Sequence, residues 1–401
     1  MKIAFLTDEF YPTFGANSLV VKTVCEKLIE LGHEAYVLPF HCNGMQPTRE
    51  QWENINICRK VPSDGKNSLK ALLKKGRFFR AVKVAASLYR QKKDPHNIFA
   101  KPNYMAEEFL CEWLLEEQID TVVSINCSIE LSFPLLRLRK KGKLPCKWFF
   151  YMLDPFASHE YYLSHAPEAK LRKLQHNIMD CCDRVLATKL IYDEIAKWET
   201  ESILKKIAIT EFPKIEKPEY KPSDDDIALD PKYTHVVCTG SKNETVRNSQ
   251  YTLAMCKQVS DLPVRFHFMG YGWTEDEQVR KDANCLFYPP HSPQVAKNLQ
   301  LNGDILLNIG NTVTNQLPSK VLEYISTGKP IVNFYKSEDC PAKALLQKVD
   351  ALNISESADM AMAGEVFRTF LTQPHEPMPF EKIEEAYGGY TPEVVVKNFL
   401  N

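Results

Sequence analysis

Twice along this chain a short apolar run gives way to a helical pattern and then to another apolar run, and that alternation admits few folds. Lys2 to Thr7 is mostly apolar, a loop with Pro12 and Gly15 follows, and Ser18 to Leu31 carries Val20, Val21, Val24, Leu28 and Leu31 on one helical face. Gly32-His33 ends that helix, and Glu34 to Leu38 reads as the next strand. A strand, helix, strand unit implies a parallel sheet with right-handed crossovers. Further strands are predicted at Thr121 to Asn126, Trp148 to Leu153 and Arg184 to Thr188, with a helix over Pro102 to Glu117.

Between Phe212 and Tyr233 the composition changes to Pro213, Pro218, Pro222 and Pro231 around the acidic run Asp224-Asp225-Asp226. This reads as an interdomain connection in which the acids are a hydrated spacer and not a metal site. A second series follows, with strands predicted at His235 to Thr239, Val264 to Met269, Cys285 to Tyr288, Ile305 to Ile309 and Ile331 to Phe334, and a helix over Ser249 to Val259. The chain of 401 residues therefore reads as an α/β protein of two doubly wound domains, 1–212 and 233–388, joined by a linker at 213–232. Residues 389–401 read as a terminal helix that crosses back to the first domain. Such domains hold ligands at the carboxyl ends of their strands, so a cleft between the two is the expected ligand position.

The most informative stretch runs from Asn315 to Val332. It reads as a loop that enters a helix at Pro318-Ser319, stops at Gly328, and passes through Lys329-Pro330 into a strand. Unpaired N–H groups and the helix dipole make such a mouth attractive to an anion, and Lys320 sits in its first turn. Ser319 is also a plausible side-chain cap. Glu323, one turn on, is placed to accept hydrogen bonds from hydroxyls attached to that anion, and phosphate with ribose fits the pair.

Composition excludes several classes. Apolar and charged fractions of 44% and 25% are ordinary for a globular protein, and a formal net charge of −1 argues against a general nucleic-acid binder. The 12 cysteines show no zinc-like spacing and read as reduced core thiols. The N-terminal run is too short for a signal peptide and no span of about 18 apolar residues exists, so the expectation is a cytoplasmic protein. Residues 66–93 hold ten basic side chains and no acid, with leucines and aromatics interleaved. A solvated helix face and a basic amphipathic surface for anionic lipid are equally compatible with that pattern; the second places the protein peripherally on the inner face of the membrane.

Several stretches, taken in order, resemble retaining glycosyltransferases of the GT-B fold, family 4. They are Lys2 to Asp8 with Gly15, Leu31-Gly32-His33-Glu34, Cys182 to Thr188, Thr239-Gly240-Ser241 with Arg247-Asn248, Phe268 to Trp273, and above all Pro318-Ser319-Lys320 to Gly328-Lys329-Pro330. The resemblance implies two Rossmann-like domains facing across a central cleft, and a nucleotide-diphospho-sugar donor held mainly by the second. The acceptor, a glycan or lipid-linked hydroxyl, is held mainly by the first. It implies no cofactor and no metal, because basic side chains and helix amides neutralise the departing diphosphate.

Residue by residue, the resemblance assigns Arg247 and Lys242 to the diphosphate and Glu323 to the ribose hydroxyls. Gly240, Leu317, Pro318, Ser319, Lys320 and Tyr288 line the donor site, and Gly15 lets backbone approach a phosphate. Asp154, where the family often has a histidine nearby, is the nearest candidate for an acceptor or sugar contact, which makes Asp154, Arg247 and Lys242 the catalytic set. A turn glycine and a turn acid are the ordinary readings of Gly15 and Asp154. The first glutamate of the family's pair is Asn315 here, and an amide offers hydrogen bonds without negative charge. Two further classes therefore stay open, a nucleotide-sugar epimerase or hydrolase of the same fold, and a catalytically silent nucleotide-sugar or glycan-binding protein.

Overall fold

In the computed structural model the described residues are 1–40, 47–59, 107–242, 247–273 and 284–400. They form two compact units, Met1–Pro213 with Pro392–Asn401, and Lys214–Thr391. The basic segment 66–93 and the first residues of the helix expected from Pro102 lie outside the described residues.

In the first unit, strands β1 (Lys2–Thr7), β2 (Glu34–Pro39), β3 (Arg49–Trp52), β4 (Ile55–Cys58), β5 (Thr121–Ile125), β6 (Lys147–Met152), β7 (Arg184–Ala187) and β8 (Ile207–Ile209) build one sheet. Their order is β3-β4-β2-β1-β5-β6-β7-β8. Helices α1 (Ala16–Glu30), α2 (Glu107–Glu116), α3 (Ser132–Lys140) and α4 (Glu168–Cys181) belong to this unit. The ladders are parallel except β3 with β4, which pair antiparallel. That hairpin was not foreseen, because Arg49-Glu50-Gln51-Trp52 is a short polar run at the sheet edge. Its turn, Glu53-Asn54, has φ of 47° and 65°, the geometry a two-residue hairpin demands. β5 is buried along its whole length and β1 from Ile3 on, as strands covered on both faces must be.

The second unit holds β9 (Thr234–Thr239), β10 (Val264–Met269), β11 (Cys285–Tyr288), β12 (Ile305–Ile309), β13 (Ile331–Tyr335) and β14 (Ala351–Ser355), all parallel, in the order β11-β10-β9-β12-β13-β14. The order reverses between β9 and β12, which makes the carboxyl ends of these two strands the topological switch point. Helices α5 (Gln250–Gln258), α6 (Pro293–Asn302), α7 (Lys320–Ser326), α8 (Met360–Thr372) and α9 (Phe380–Tyr387) belong to this unit. Val236, Phe266, Phe268, Leu307, Val332 and Phe334 pack with Met255 of α5 and Phe367 of α8 in one hydrophobic cluster. The alternate strand positions carry buried polar groups. Asn308 donates to Asn333 at 2.7 Å, and Asn333 to Asn353 at 2.8 Å, so three neighbouring strands are locked in register by side-chain amides.

The proline-rich stretch after Pro213 is part of the second unit. Lys214 and Ile215 both donate their N–H to Tyr390 O, and Asn298 of α6 donates to Lys221 O and to Asp226 Oδ1 at 2.7 Å each. Asp226 also accepts from Tyr220 and from the Ser223 N–H, so this acid is a hydrogen-bonding hub; the spacer reading fails for it. Helix α10 (Pro392–Leu400) belongs to the first unit, where Phe399 packs its ring 5.7 Å from Phe5 and 5.3 Å from Tyr151.

Two glycines end β9 and β10. Gly240 has φ +126° and Gly270 φ +147°, and a Cβ on Gly270 would lie 2.4 Å from Gly240 O. Gly270→Ala is expected to destabilise the protein by roughly 2–4 kcal/mol through backbone strain and that clash. Urea unfolding checks it, and an unchanged midpoint would show that the two strand ends are not packed this way.

Candidate functional site

The site is built where β9 ends. Gly240 O accepts from the indole N–H of Trp273 at 2.7 Å, Gly240 N–H donates to Met269 O, and Lys242 N–H donates to Tyr271 O, so the loops after β9 and β10 are docked on one another. Arg247 returns to this point. Its Nη1 lies 3.4 Å from where a Cβ on Gly240 would stand, and Lys320 Cγ is 4.0 Å from the same position. Arg247 Nη2 donates to Asn311 Oδ1 at 3.2 Å, and Asn311 Nδ2 donates to Gln316 O at 3.1 Å. Arg247 therefore spans the switch point, from the loop after β9 to the loop after β12. Its Nε is buried and has no hydrogen-bond partner among the described residues, a donor left over in a guanidinium that offers five.

Helix α7 supplies the other half. Tyr324, fully buried, accepts the Thr239 N–H at 2.7 Å, and Gln300 of α6 donates to Thr239 Oγ1 at 2.7 Å. This pins α7 to the last residue of β9 and sets Lys320 beside Gly240. The Glu323 carboxylate accepts from Lys320 Nζ at 2.5 Å and faces Lys214 Nζ at 3.2 Å. Burial alone would push this carboxyl up. The two ammonium groups outweigh it and hold it down at about 2. Lys214 was not foreseen; it lies over a hundred residues from Glu323 in a proline-flanked stretch, where no local pattern marks it. Its backbone oxygen accepts from Ser326 Oγ at 3.0 Å, which fixes it to α7.

The remaining expected donor residues fall as follows. Ser319 occupies the capping position, but its backbone is helical and its hydroxyl makes no capping bond, so the side-chain cap expectation is corrected. The tight first turn explains this, since Val321 N–H and Leu322 N–H already bond to Pro318 O and Ser319 O. Pro318 is buried, and Asn315 and Leu317 are half-buried in the loop before α7. Lys242 is half-buried. Tyr288 closes β11 at the sheet edge, with its hydroxyl 3.0 Å from His267 Nδ1.

In the first unit, Asp154 follows β6 and is half-buried. Asn126, after β5, accepts from Leu153 N–H at 2.9 Å and donates to Asp154 O, while Asn17 of α1 donates to Asp154 Oδ2 at 3.3 Å. Asp154 is thus held at the carboxyl ends of β5 and β6. Gly15 starts α1 with an ordinary extended backbone, and the space a Cβ would take is met by Glu9 Oε1 at 2.7 Å. Positive φ does not require a glycine there, and the group nearest it is a carboxylate. Among the described residues no cluster of three or more His, Cys, Asp or Glu has the geometry to hold a metal ion, and no helix is long and apolar enough to cross a membrane.

Solved structures share this architecture over the full chain. The apo lipopolysaccharide outer core galactosyltransferase WaaB matches with a TM-score of 0.60 at 16% identity, covering 100% of this chain and 98% of that one. Anabaena HepE in complex with UDP and glucose gives 0.62 at 12% identity, covering 100% and 98%. Sucrose-phosphate synthase from Thermosynechococcus elongatus gives 0.65 at 10% identity, covering 99% and 97%. The chain has the GT-B fold. No protein-family model and no curated protein sequence matches this chain.

The Glu323 cluster sets an acid dependence. A carboxyl depressed from its ordinary value contributes stability that is complete above about pH 4.5 and lost as the pH falls toward about 2. Glu323→Gln is expected to cost on the order of 1–3 kcal/mol at pH 7, and the gap to wild type should close between those limits. Denaturant titrations at a series of pH values check this, and a gap independent of pH would remove the ion triad.

Proposed function

We propose that this protein is a metal-independent, retaining glycosyltransferase of family 4 that moves a hexose from a nucleotide-diphospho-sugar to a glycan or lipid-linked hydroxyl. One observation carries the reading: Arg247 and Lys320 converge on a side-chain-free Gly240 at the switch point of the second sheet. Two cations beside open backbone match a diphosphate in charge and shape. Proteins of the same fold were solved with such ligands, HepE with UDP-glucose and an E. coli trehalose-6-phosphate protein with UDP-2-fluoro glucose.

In this reading Arg247, Lys242 and Lys320 take up the charge on the departing diphosphate. Glu323 exchanges part of its ion pairing for the ribose hydroxyls, Asn315 hydrogen-bonds the sugar, Leu317, Pro318 and Ser319 shape the loop, and Tyr288 borders the base. Asp154 serves the acceptor side from the first unit, and Gly15 lets backbone of that unit approach the donor phosphate. The acceptor oxygen bonds to the anomeric carbon on the face from which the diphosphate oxygen leaves, and the acceptor proton passes to that oxygen. The reaction runs in the cytoplasm, with residues 66–93 as the contact to the inner membrane face.

A second reading is supported by Asn315, which offers an amide where the family has a carboxylate: a nucleotide-sugar binding protein without turnover. Calorimetry and product analysis separate the two. Arg247→Ala is expected to weaken UDP binding about 10- to 100-fold, and equal affinity would remove the arginine from the site. Donor consumption is expected only with an acceptor present, unaffected by EDTA, giving a product whose anomeric configuration by NMR equals that of the donor. Tight UDP binding with no turnover over a broad acceptor panel would decide for the silent protein.

A further inference from the structure

A buried polar chain crosses the second sheet outside the cluster just described. His235 on β9 is 4% exposed and His267 on β10 is 2% exposed. His235 Nε2 lies 2.8 Å from Asp230 O, His235 Nδ1 lies 2.9 Å from His267 Nε2, and His267 Nδ1 lies 3.0 Å from the Tyr288 hydroxyl. The His267 and Tyr288 rings are nearly parallel, 4° apart, with centroids 5.8 Å apart. The chain therefore runs diagonally from the start of β9 to the carboxyl end of β11.

Proton positions along it follow from one fixed end. The Asp230 carbonyl can only accept, so His235 carries its hydrogen on Nε2 and, when neutral, leaves Nδ1 as an acceptor. His267 must then carry its hydrogen on Nε2, which leaves its Nδ1 to accept from the Tyr288 hydroxyl. With both rings neutral, every bond is made and the Tyr288 hydrogen points inward. A single added proton, on either imidazole, puts a hydrogen on His267 Nδ1. Tyr288 then has to accept from His267, and its own O–H is released to point elsewhere.

Burial and the Arg265 cation oppose that proton, and the Asp304 carboxylate acts the other way. Arg265 of β10 lies with its guanidinium carbon 4.0 Å from the Tyr233 ring centroid, and Asp304, before β12, accepts the His235 backbone N–H at 2.8 Å. Burial first, then His235 and Arg265, bring His267 down to about 4, and burial raises the Tyr288 hydroxyl above its ordinary value. Near neutral pH the His267 ring is uncharged.

We infer that His235 and His267 are positioning residues for Tyr288 in the nucleotide subsite, holding its hydroxyl so that a bound nucleotide meets the oxygen as an acceptor for an N–H or O–H, with one proton reversing that polarity. The inference rests on the donor-site reading above, and its test separates the two.

In the full chain labelled with ¹⁵N-histidine, both rings are expected as Nε2–H tautomers at pH 7.5, with His267 neutral at pH 6. An Nδ1–H tautomer at either ring, or a charged His267 at pH 6, overturns the inference without reference to any ligand. Calorimetry with UDP from pH 8 to 3.5, a range that passes through the His267 value of about 4, reads the consequence. UDP's own phosphate titration is common to all variants. Wild-type affinity is expected to change several-fold beyond it, while His267→Gln and Tyr288→Phe flatten that extra change and bind about 3- to 10-fold more weakly at pH 7.5. Arg247→Ala should lower affinity at every pH. Wild-type affinity and pH slope in both His267→Gln and Tyr288→Phe would overturn the positioning role. A wild-type chain that binds no UDP at any pH would overturn the donor-site reading and the link to nucleotide, leaving the tautomers to report on the chain itself.

Discussion

The hydrogen bond from Thr239 N–H to the buried Tyr324 hydroxyl is the contact on which the arrangement of the second unit's site depends. Without it, the helix that carries Lys320 and Glu323 would have no reason to sit against the end of β9. The backbone donor at a strand's last residue has no ladder partner of its own, and a phenol from a helix three strands later in sequence order satisfies it. Gln300 holds the Thr239 side chain at the same place, so two helices are referenced to one residue. Gly240 follows at once, and with Gly270 it lets two strand-end loops meet at backbone distance. The position a side chain would take on Gly240 is bordered by Arg247 and Lys320.

The charges on α7 are arranged so that its lysine is not part of a bare positive patch. Glu323 neutralises Lys320 and Lys214, and the pair of cations keeps the carboxylate ionised despite burial. Breaking one member of such a group costs more than the group contributes as a whole, since a lone charge is left partly desolvated. A ligand with both phosphate and hydroxyl groups can take over these contacts together. On the same unit, the histidine chain and the asparagine ladder fill positions where alternating strand residues would ordinarily be apolar. In both, neighbouring side chains hydrogen-bond one another from strand to strand, so buried polar groups help to specify the structure.

Much of the fold was legible in periodicity. β1, β10, β11 and β12 begin and end where their apolar runs do, and α1, α5 and β9 differ from expectation by one or two residues at an end. The hairpin of β3 and β4 was not legible, because edge strands need no apolar alternation, and β14 carries Asn353 where a core residue would be looked for. At the site, Lys320 and Glu323 announced themselves by their place after a proline and a serine. Lys214, Asn311 and Tyr324 did not, because their roles come from partners 5 to 109 residues away along the chain. The Ser319 cap failed for a local reason: its backbone is already helical, so the hydroxyl is not turned toward the next N–H groups.

The sequence by itself determined two largely parallel sheets and a helix with a cation in its first turn, because hydrophobic period, glycine and proline act over a few residues. Only the tertiary structure decided that Arg247 and Lys320 meet at Gly240, that Glu323 lies between two lysines, and that two histidines and a tyrosine join in one chain. Those outcomes depend on which strands become neighbours. Strand order is set by the packing of the whole sheet, a sum over many contacts distant in sequence, and no short window of residues contains it.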